Sequence, residues 1–535
     1  MAKTARISVH TDFQIGEISP RLYGAFLEPI GTMVNGSMYN PKHPTADDKG
    51  FRRDWIDALK ETGLPAIRLP GGNFVSGWDW KDSIGPADQR KVRLDPAWRQ
   101  YIPNDVGHDE YLQWAELVGA ESLYTINLGT LGIDDAMKIV DYTNHPGGSY
   151  WSDLRRKYGR EAPYGVKTWY LGNEMDGAWQ IGSYLFDPKA YGVLSNEVSK
   201  VMKMIDPNIE TVVCGSTSLT MPHYPDWDQE VLEQCYQAVD YISLHFYHSA
   251  PTGDYAALLG GSRYFEDYIN TMAAVCDIVK AKYRSPKTMM LSFDEYGTRA
   301  QEPQKLNPGR GLHNFLAPHY TFDPAREYVR HDPNNMELTL RRFPRRGDML
   351  NALTSASTIL TFLRHADRVK IGCMTGGLNA LATTDKDSVW KSASHYAFTQ
   401  LMHYGRGVSL KTAVDCETFD IPGYAMNDSA QFYEQKNVDY IDTAAAYDEK
   451  SGELTVFIIN RNWEEDTDIE LEIGNFEASK FVEHIQLYSE DMDATSSSKN
   501  PDVLVPAINP DAKFSGGKLR TNVKKLSWNV LRFKS

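Results

Sequence analysis

Residues 169–215 read WYLGNEMDGAWQIGSYLFDPKAYGVLSNEVSKVMKMIDPNIETVVCG, and this stretch contains the unit from which most of the chain is built. A short apolar run, Trp169 to Leu171, ends in Gly172-Asn173-Glu174. Further on, Asp187-Pro188 supplies a helix N-cap and a first-turn proline. Tyr191, Leu194, Val198, Val201 and Ile205 then recur at three- and four-residue steps, which predicts one apolar helical face over Pro188–Ile205. A second apolar run closes at Gly215. Strand, helix and strand in that order is the unit of a parallel α/β fold.

Outward from this unit, β-rich runs alternate with amphipathic segments from Leu22 to about Tyr404. The predicted strands end at Glu28, Leu69, Asn127, Glu174, Gly215, His245, Glu295 and Gly372. The helical patterns between them are Asp54–Thr62, His108–Val118, Ile133–Asn144, Pro188–Ile205, Asp228–Val239, Phe265–Lys282 and Asp348–His365, with Val389–Met402 after the last strand. Eight such pairs predict a (β/α)8 TIM barrel over residues 22–404. Beyond Tyr404-Gly405-Arg406-Gly407 the helical period fades. Leu454–Asn460 is a continuous apolar run, and Ile469/Leu471/Ile473 and Leu526/Trp528/Val530 alternate, so 405–535 reads as a C-terminal all-β sandwich. In the leading segment 1–21, Ile7 and Val9 alternate and are expected to add a strand to that sandwich. Residues 297–347 form a connection of about 50 residues, against a usual loop of roughly 4–6, and are expected to be a long insertion.

Composition narrows the partners. The 535 residues exceed one core, and 41% hydrophobic with 24% charged residues excludes a disordered or collagenous chain. A net charge of −15 disfavours nucleic acid and anionic lipid. The N-terminus carries no apolar run, so no cleaved signal or membrane span is expected, and the location expected is cytoplasmic. Cys214, Cys235, Cys276, Cys373 and Cys416 are odd in number and scattered without CxxC spacing, which suggests neither a disulfide framework nor a zinc knuckle.

In a barrel, chemistry belongs at the C-terminal ends of the strands. Here strand one ends in Phe26-Leu27-Glu28, strand two in Arg68-Leu69-Pro70-Gly71-Gly72-Asn73, and strand four in Gly172-Asn173-Glu174. Strand six ends in His245-Phe246-Tyr247 and strand seven in Asp294-Glu295. Two carboxyl groups facing each other across a sugar-sized opening suit glycosidic cleavage, and Glu174 and Glu295 are placed for it. Taken singly, either could be a buried structural carboxylate paired to Arg68. Together, with Asn173, His245 and Tyr247 at the same mouth, they favour catalysis. Three other readings carry less. Gly71-Gly72 and Gly376-Gly377 would suit a phosphosugar enzyme but match no phosphate loop. His245 and His248 with Asp294 or Glu295 would suit a metal hydrolase, yet no firm third ligand is placed. A non-catalytic carbohydrate-binding protein would need neither an acid nor a nucleophile. No metal and no cofactor are expected.

The segment Arg68-Leu69-Pro70-Gly71-Gly72-Asn73-Phe74-Val75-Ser76-Gly77-Trp78, then Ile84-Gly85-Pro86, then Tyr170 to Gly177 with Trp179-Gln180, resembles the α-L-arabinofuranosidases of glycoside hydrolase family 51. His365 to Lys370, Tyr404 to Gly407, Tyr440-Ile441-Asp442 and Ala446-Tyr447-Asp448 continue the resemblance into the sandwich. It implies a retaining exo-hydrolase that releases terminal α-L-arabinofuranosyl residues from arabino-oligosaccharides or arabinoxylan fragments. It also implies a homo-oligomer, often a hexamer. Residue by residue, Glu174 resembles the general acid/base, Glu295 the nucleophile and Asn173 the partner of the sugar 2-hydroxyl. Tyr247 matches the tyrosine that holds the nucleophile and His245 the histidine near the acid/base. Glu28 and Asn73 match residues gripping the outer hydroxyls, and Trp179 belongs to the same substrate-binding motif. Arg68 and Asn127 are expected behind them. Two stretches depart from the pattern. Tyr296-Gly297-Thr298-Arg299 follows the nucleophile where a Trp-Asn-Val-Trp type segment is common, and Gly376 stands where many members carry a glutamine. Gly376 would leave room for a larger sugar, so a β-D-galactofuranosidase is the alternative and a β-1,4-glucanase a distant third.

Overall fold

In the computed structural model, which describes residues 3–304, 327–332, 347–476 and 480–535, eight parallel strands close into a barrel. They are Gly24–Phe26, Ala66–Leu69, Glu121–Ile126, Thr168–Leu171, Glu210–Cys214, Tyr241–Pro251, Met290–Gln301 and Val369–Thr375, each hydrogen-bonded to the next and the last to the first. The expected (β/α)8 barrel is thus present. Phe26, Ala66, Leu123, Tyr170, Val212, Ile371 and Cys373 fill its interior. Their strand neighbours Ala25, Ile67, Tyr124, Leu171 and Val213 face the helices. Burial on both faces is why these strands read as unbroken apolar runs.

The helices His108–Val118, Ile133–Asn144 and Pro188–Ile205 lie where the periodicity puts them. The Asp187 carboxylate accepts a hydrogen bond from the Ala190 amide at 3.0 Å, capping the last of these. Other boundaries differ. The expected Asp228–Val239 is Asp226–Cys235, and the final barrel helix is Ala393–Tyr404 because Val389–Trp390 is taken up in a short ladder with Thr383–Thr384. A helix at Tyr150–Lys157, capped by the Ser149 hydroxyl, was not expected. Its fully buried residues are the polar Ser152 and Arg155, and only Trp151 and Leu154 add apolar packing, so it carries too few apolar repeats to register as a period.

Strands six and seven do not stop at His245 and Glu295. Their ladder runs on from Gly297 opposite Tyr247 to Gln301 opposite Pro251, so the first residues of the expected insertion are strand. Residues 305–326 and 333–346 of that insertion lie outside the described residues. Between them, Val329 donates to the Arg99 carbonyl at 2.9 Å and accepts from the Tyr101 amide at 3.0 Å, which places 327–332 beside Gln100–Ile102.

After the barrel, strands Val408–Asp415, Ile441–Asp448, Glu453–Asn460, Thr467–Gly474, Lys480–Leu487, Lys518–Val523 and Ser527–Lys534 belong to one ten-stranded sheet. Strand Lys3–Glu17 sits inside it, antiparallel to Val408–Asp415 and parallel to Thr467–Gly474. Leu454, Val456 and Ile458 point into the sheet's own core with Ile7, Leu471 and Phe533. Phe457, Ile459, Trp528 and Val530 join the core shared with the barrel helices. That is why Leu454–Asn460 shows no alternation. Asp442 ties the two parts together, accepting from Arg364 Nη1 at 2.7 Å and from the Ser357 hydroxyl.

Candidate active site

Arg68 stands at the centre of the mouth. Its guanidinium lies between the rings of Phe26 and Tyr170, 5.2 and 5.0 Å from their centroids, and is wholly buried. Such a charge persists only if paired on every side. Nε lies 2.9 Å from Asp294 Oδ2, Nη1 lies 2.7 Å from Glu295 Oε1, and Nη2 donates to Asn173 Oδ1 at 2.8 Å. Consecutive strand residues normally point to opposite faces, yet Asp294 and Glu295 both reach Arg68. The register shift between Ser292 and Glu295 against strand six allows this.

At the end of strand four the chain turns sharply. Gly172 has φ 93 and Glu174 φ 46, a left-handed conformation that only glycine adopts without strain. The strained segment is anchored from behind by Asp176, whose buried carboxylate lies 2.9 Å from the Thr217 amide and 2.9 Å from His223 Nε2. Glu174 is thereby aimed into the mouth. Its Oε2 accepts from the Trp179 indole, and its Oε1 lies 3.1 Å from His245 Nδ1. Burial, and then the charge of Glu295, hold the Glu174 carboxyl above the ordinary range against the pull of His245 and Trp179. A group so placed gives up its proton less readily than an ordinary carboxyl.

His245 sits among three carboxylates. Its Nδ1 faces Glu174 and, at 3.8 Å, Glu295 Oε2, while Nε2 lies 3.2 Å from Asp294. Burial would lower its pKa, but Glu295 and Asp294 outweigh that and raise it to about 10. Ligating atoms of Glu174, His245 and Glu295 lie within 4.8 Å of one another. A doubly protonated imidazole offers no lone pair to a cation, and Arg68, Tyr247 and Trp179 already engage the carboxylates, so this set suits proton chemistry rather than metal binding. His248, weighed above as a second ligand, is three residues further along the strand and faces away, hydrogen-bonded to the Tyr424 hydroxyl at 2.8 Å.

The remaining expected residues gather on the other side. Glu28 Oε1 accepts from the Phe74 amide at 3.0 Å and from Trp98 Nε1 at 2.6 Å. Burial, followed by the charge of Glu295, raises its pKa well above the usual carboxylate range. Gly72 has φ 80, and a Cβ there would stand 2.1 Å from the Glu28 carboxyl carbon. Gly72 thereby admits Glu28, and a Cβ at Gly71 would stand 2.5 Å from the Phe26 ring, so both glycines serve close packing at the mouth. Asn73 Oδ1 accepts from Asn173 Nδ2 at 3.1 Å and Gln180 Nε2 at 3.0 Å. Asn127 is spent on its own loop, accepting from the Gly129 and Thr130 amides and donating to the Trp78 carbonyl. Tyr247 donates to Glu295 Oε2 at 2.7 Å and meets Thr375 Oγ1 at 2.8 Å. Gly376 has φ 68 at the start of the short helix Gly377–Leu381, so a glutamine there would be strained.

Trp98, Gln180, Thr375 and the role of Asp294 were missed by sequence reasoning. Asp294 and Gln180 adjoin residues that were identified, so proximity was a usable signal. Trp98 lies in an irregular loop and carries none.

A buried carboxyl whose proton affinity is raised, facing a second clamped by an arginine at the mouth of a parallel barrel, is equipment for breaking acetal bonds, and the fold and site define a glycoside hydrolase. Comparison with known proteins narrows this. Residues 58–266 match the α-L-arabinofuranosidase 1 domain and 294–527 the α-L-arabinofuranosidase C-terminal domain. The chain is 40% identical, over 99% of both sequences, to an intracellular exo-α-(1→5)-L-arabinofuranosidase of Bacillus subtilis. It is 33% identical to an exo-α-(1→6)-L-arabinofuranosidase of Bifidobacterium longum, over 99% of this chain and 97% of that one. Among solved structures, a family 51 α-L-arabinofuranosidase of Bifidobacterium longum superposes with a TM-score of 0.86 at 27% identity, covering 100% of both chains. The enzyme of Thermotoga maritima in complex with arabinose gives 0.83 at 27% identity, covering 99% of this chain and 100% of that one. The chain belongs to the α-L-arabinofuranosidases of glycoside hydrolase family 51.

Proposed function

We propose that this enzyme releases terminal non-reducing α-L-arabinofuranosyl residues from arabino-oligosaccharides or arabinoxylan fragments by double displacement, with Glu174 as acid/base and Glu295 as nucleophile. The observation that carries the mechanism is the approach of the two carboxylates, whose nearest oxygens lie within 4.8 Å. Retaining enzymes hold their carboxyls about 5–5.5 Å apart and inverting enzymes about 6.5–9.5 Å, the difference being room for a water. An approach this close supports the retaining arrangement, in which attack is covalent. Glu174 gives its proton to the departing oxygen while Glu295 bonds to the anomeric carbon. Esterification removes the charge of Glu295, one of the causes that raise Glu174, and Glu174 becomes a base that takes a proton from the incoming water. Asn173, oriented by Arg68 and Asn73, would bind the 2-hydroxyl, and Glu28 and Asn73 the outer hydroxyls. Trp179 orients the acid. The names of the relatives support arabinofuranosides over galactofuranosides, and since they span (1→5) and (1→6) linkages the proposal is of a sugar class and not of a linkage.

Proton NMR of the first product tests the mechanism: the retained anomer is expected, and an inverted one rejects it. Parallel specificity constants on nitrophenyl arabinofuranoside, galactofuranoside and cellobioside test the sugar, with the arabinofuranoside expected to be fastest. We further propose a cytoplasmic homo-oligomer. The intracellular relatives support the location, and the subunit claim rests on the family resemblance. Light scattering is expected to give a mass above that of one chain, and a monomer would remove that claim.

A further inference from the structure

We infer that Thr375 is a positioning residue for the nucleophile, acting through Tyr247 to speed release of the sugar from the enzyme. The inference rests on Glu295 being the nucleophile. Thr375 ends strand eight, Tyr247 lies on the extension of strand six, and Glu295 lies on strand seven between them. The three side chains form a line: Thr375 Oγ1 to Tyr247 Oη at 2.8 Å, and Tyr247 Oη to Glu295 Oε2 at 2.7 Å.

The direction of these bonds follows from the donor count. A carboxylate only accepts, and a tyrosine hydroxyl has one proton. If Tyr247 gave that proton to Thr375, its oxygen and Glu295 Oε2 would be two acceptors in close contact. The stable arrangement is Thr375 donating to Tyr247, and Tyr247 donating to Glu295. Chained in this sense, each bond polarises the next and strengthens the last one. Tyr247 needs such an anchor, since its side is 36% exposed at the mouth. The other oxygen of the nucleophile, Oε1, is held by Arg68 on the closed side, so Oε2 is the atom on the side where substrate enters.

The chain acts unequally on the two half-reactions. When Glu295 Oε2 bonds to the anomeric carbon, the oxygen loses charge and the hydrogen bond from Tyr247 weakens. When water displaces the sugar, the carbon–oxygen bond breaks, the electron pair returns to Oε2 and the hydrogen bond strengthens again. Donation from Tyr247 therefore favours the second step, and Thr375 enforces it.

Thr375→Val removes the hydroxyl and keeps the shape. On a dinitrophenyl arabinofuranoside, whose leaving group makes the second step limiting, kcat and KM are expected to fall together by about three- to tenfold, the usual yield of one hydrogen bond. The specificity constant, which reports the first step, should change less than twofold, and the burst of phenol that a limiting second step produces should remain while the phase after it slows. Thr375→Ser should restore wild-type kinetics, and in a Tyr247→Phe background Thr375→Val should add nothing. Unchanged kcat and KM in Thr375→Val, a fall in the specificity constant without a burst, or additivity with Tyr247→Phe would each overturn the inference. Labelling of the wild-type enzyme with a fluorinated arabinofuranosyl inactivator, read by peptide mass, separates the two claims. A label on another residue sinks the role of Glu295, whereas a label on Glu295 with normal Thr375→Val kinetics sinks only that of Thr375.

Discussion

Glu295→Ala is expected to abolish turnover on every glycoside, whereas Glu174→Ala should spare substrates whose leaving groups need no proton. The first removes the atom that bonds to the sugar, and no neighbour can replace it, because Asp294 is turned toward Arg68 and His245. The second removes a general acid, an effect of about 10²–10⁴-fold on ordinary arabinosides. With an activated phenol the first step survives the loss of Glu174, and the covalent intermediate then waits for a nucleophile that needs no base. Azide should supply it and yield an arabinofuranosyl azide of retained configuration. The pH profile adds a sign. Burial and the charge of Glu295 raise the Glu174 carboxyl, so wild-type activity should fall on the basic side as that proton is lost, and this basic limb should be missing from Glu174→Ala. Equal damage to both substrate classes, with no azide product, would show that the two roles are misassigned.

Arg68→Ala should cost more in stability than any substitution at the two glutamates. It leaves Asp294 and Glu295 buried with His245 as their one remaining shared cation, and breaking a buried pair from one side costs about 3–5 kcal/mol. Activity should be lost as well, since Asn173 and Glu295 take their orientation from the same guanidinium. Arg68→Lys keeps the charge but cannot reach Glu295 and Asn173 with a rigid fork while lying against Asp294, so it should recover part of the stability and little of the activity. The pH dependence distinguishes this account from simple loss of packing. In the wild type, burial pushes the Asp294 carboxyl up, but Arg68 and then His245 pull harder, leaving it below the ordinary value. Its contribution to stability is present above the unfolded pKa of about 4 and is lost as pH falls through the depressed value. Without Arg68 only His245 and Ser243 are left to oppose burial, the proton affinity rises, and the gain in stability as pH climbs through about 4 toward neutrality should shrink. Urea denaturation across that range measures the slope, and a variant whose pH dependence matches the wild type would argue that Arg68 contributes packing alone.

The order of strands and helices, and the placing of glutamates at the ends of strands one, four and seven, were legible in the sequence because both are local. A helix reports its buried face every three or four residues, and a barrel strand reports burial on both faces as an unbroken apolar run. Once the strands are counted, their C-terminal ends name the mouth, which is how Glu28, Asn73, Asn173, Glu174, His245, Tyr247 and Glu295 came together before any coordinates. What the sequence did not contain is how these residues are held. The register shift that turns both Asp294 and Glu295 toward Arg68, the left-handed turn at Glu174, the extension of strands six and seven that carries Tyr247 over the nucleophile, and the indole of Trp98 on Glu28 were decided only by the tertiary structure. Each depends on contacts between residues far apart in the chain, 227 positions for Arg68 and Glu295 and 128 for Tyr247 and Thr375. Periodicity registers which face a residue occupies; a hydrogen bond across the mouth of a barrel depends on where two distant strands are set against each other, and only closure of the barrel determines that.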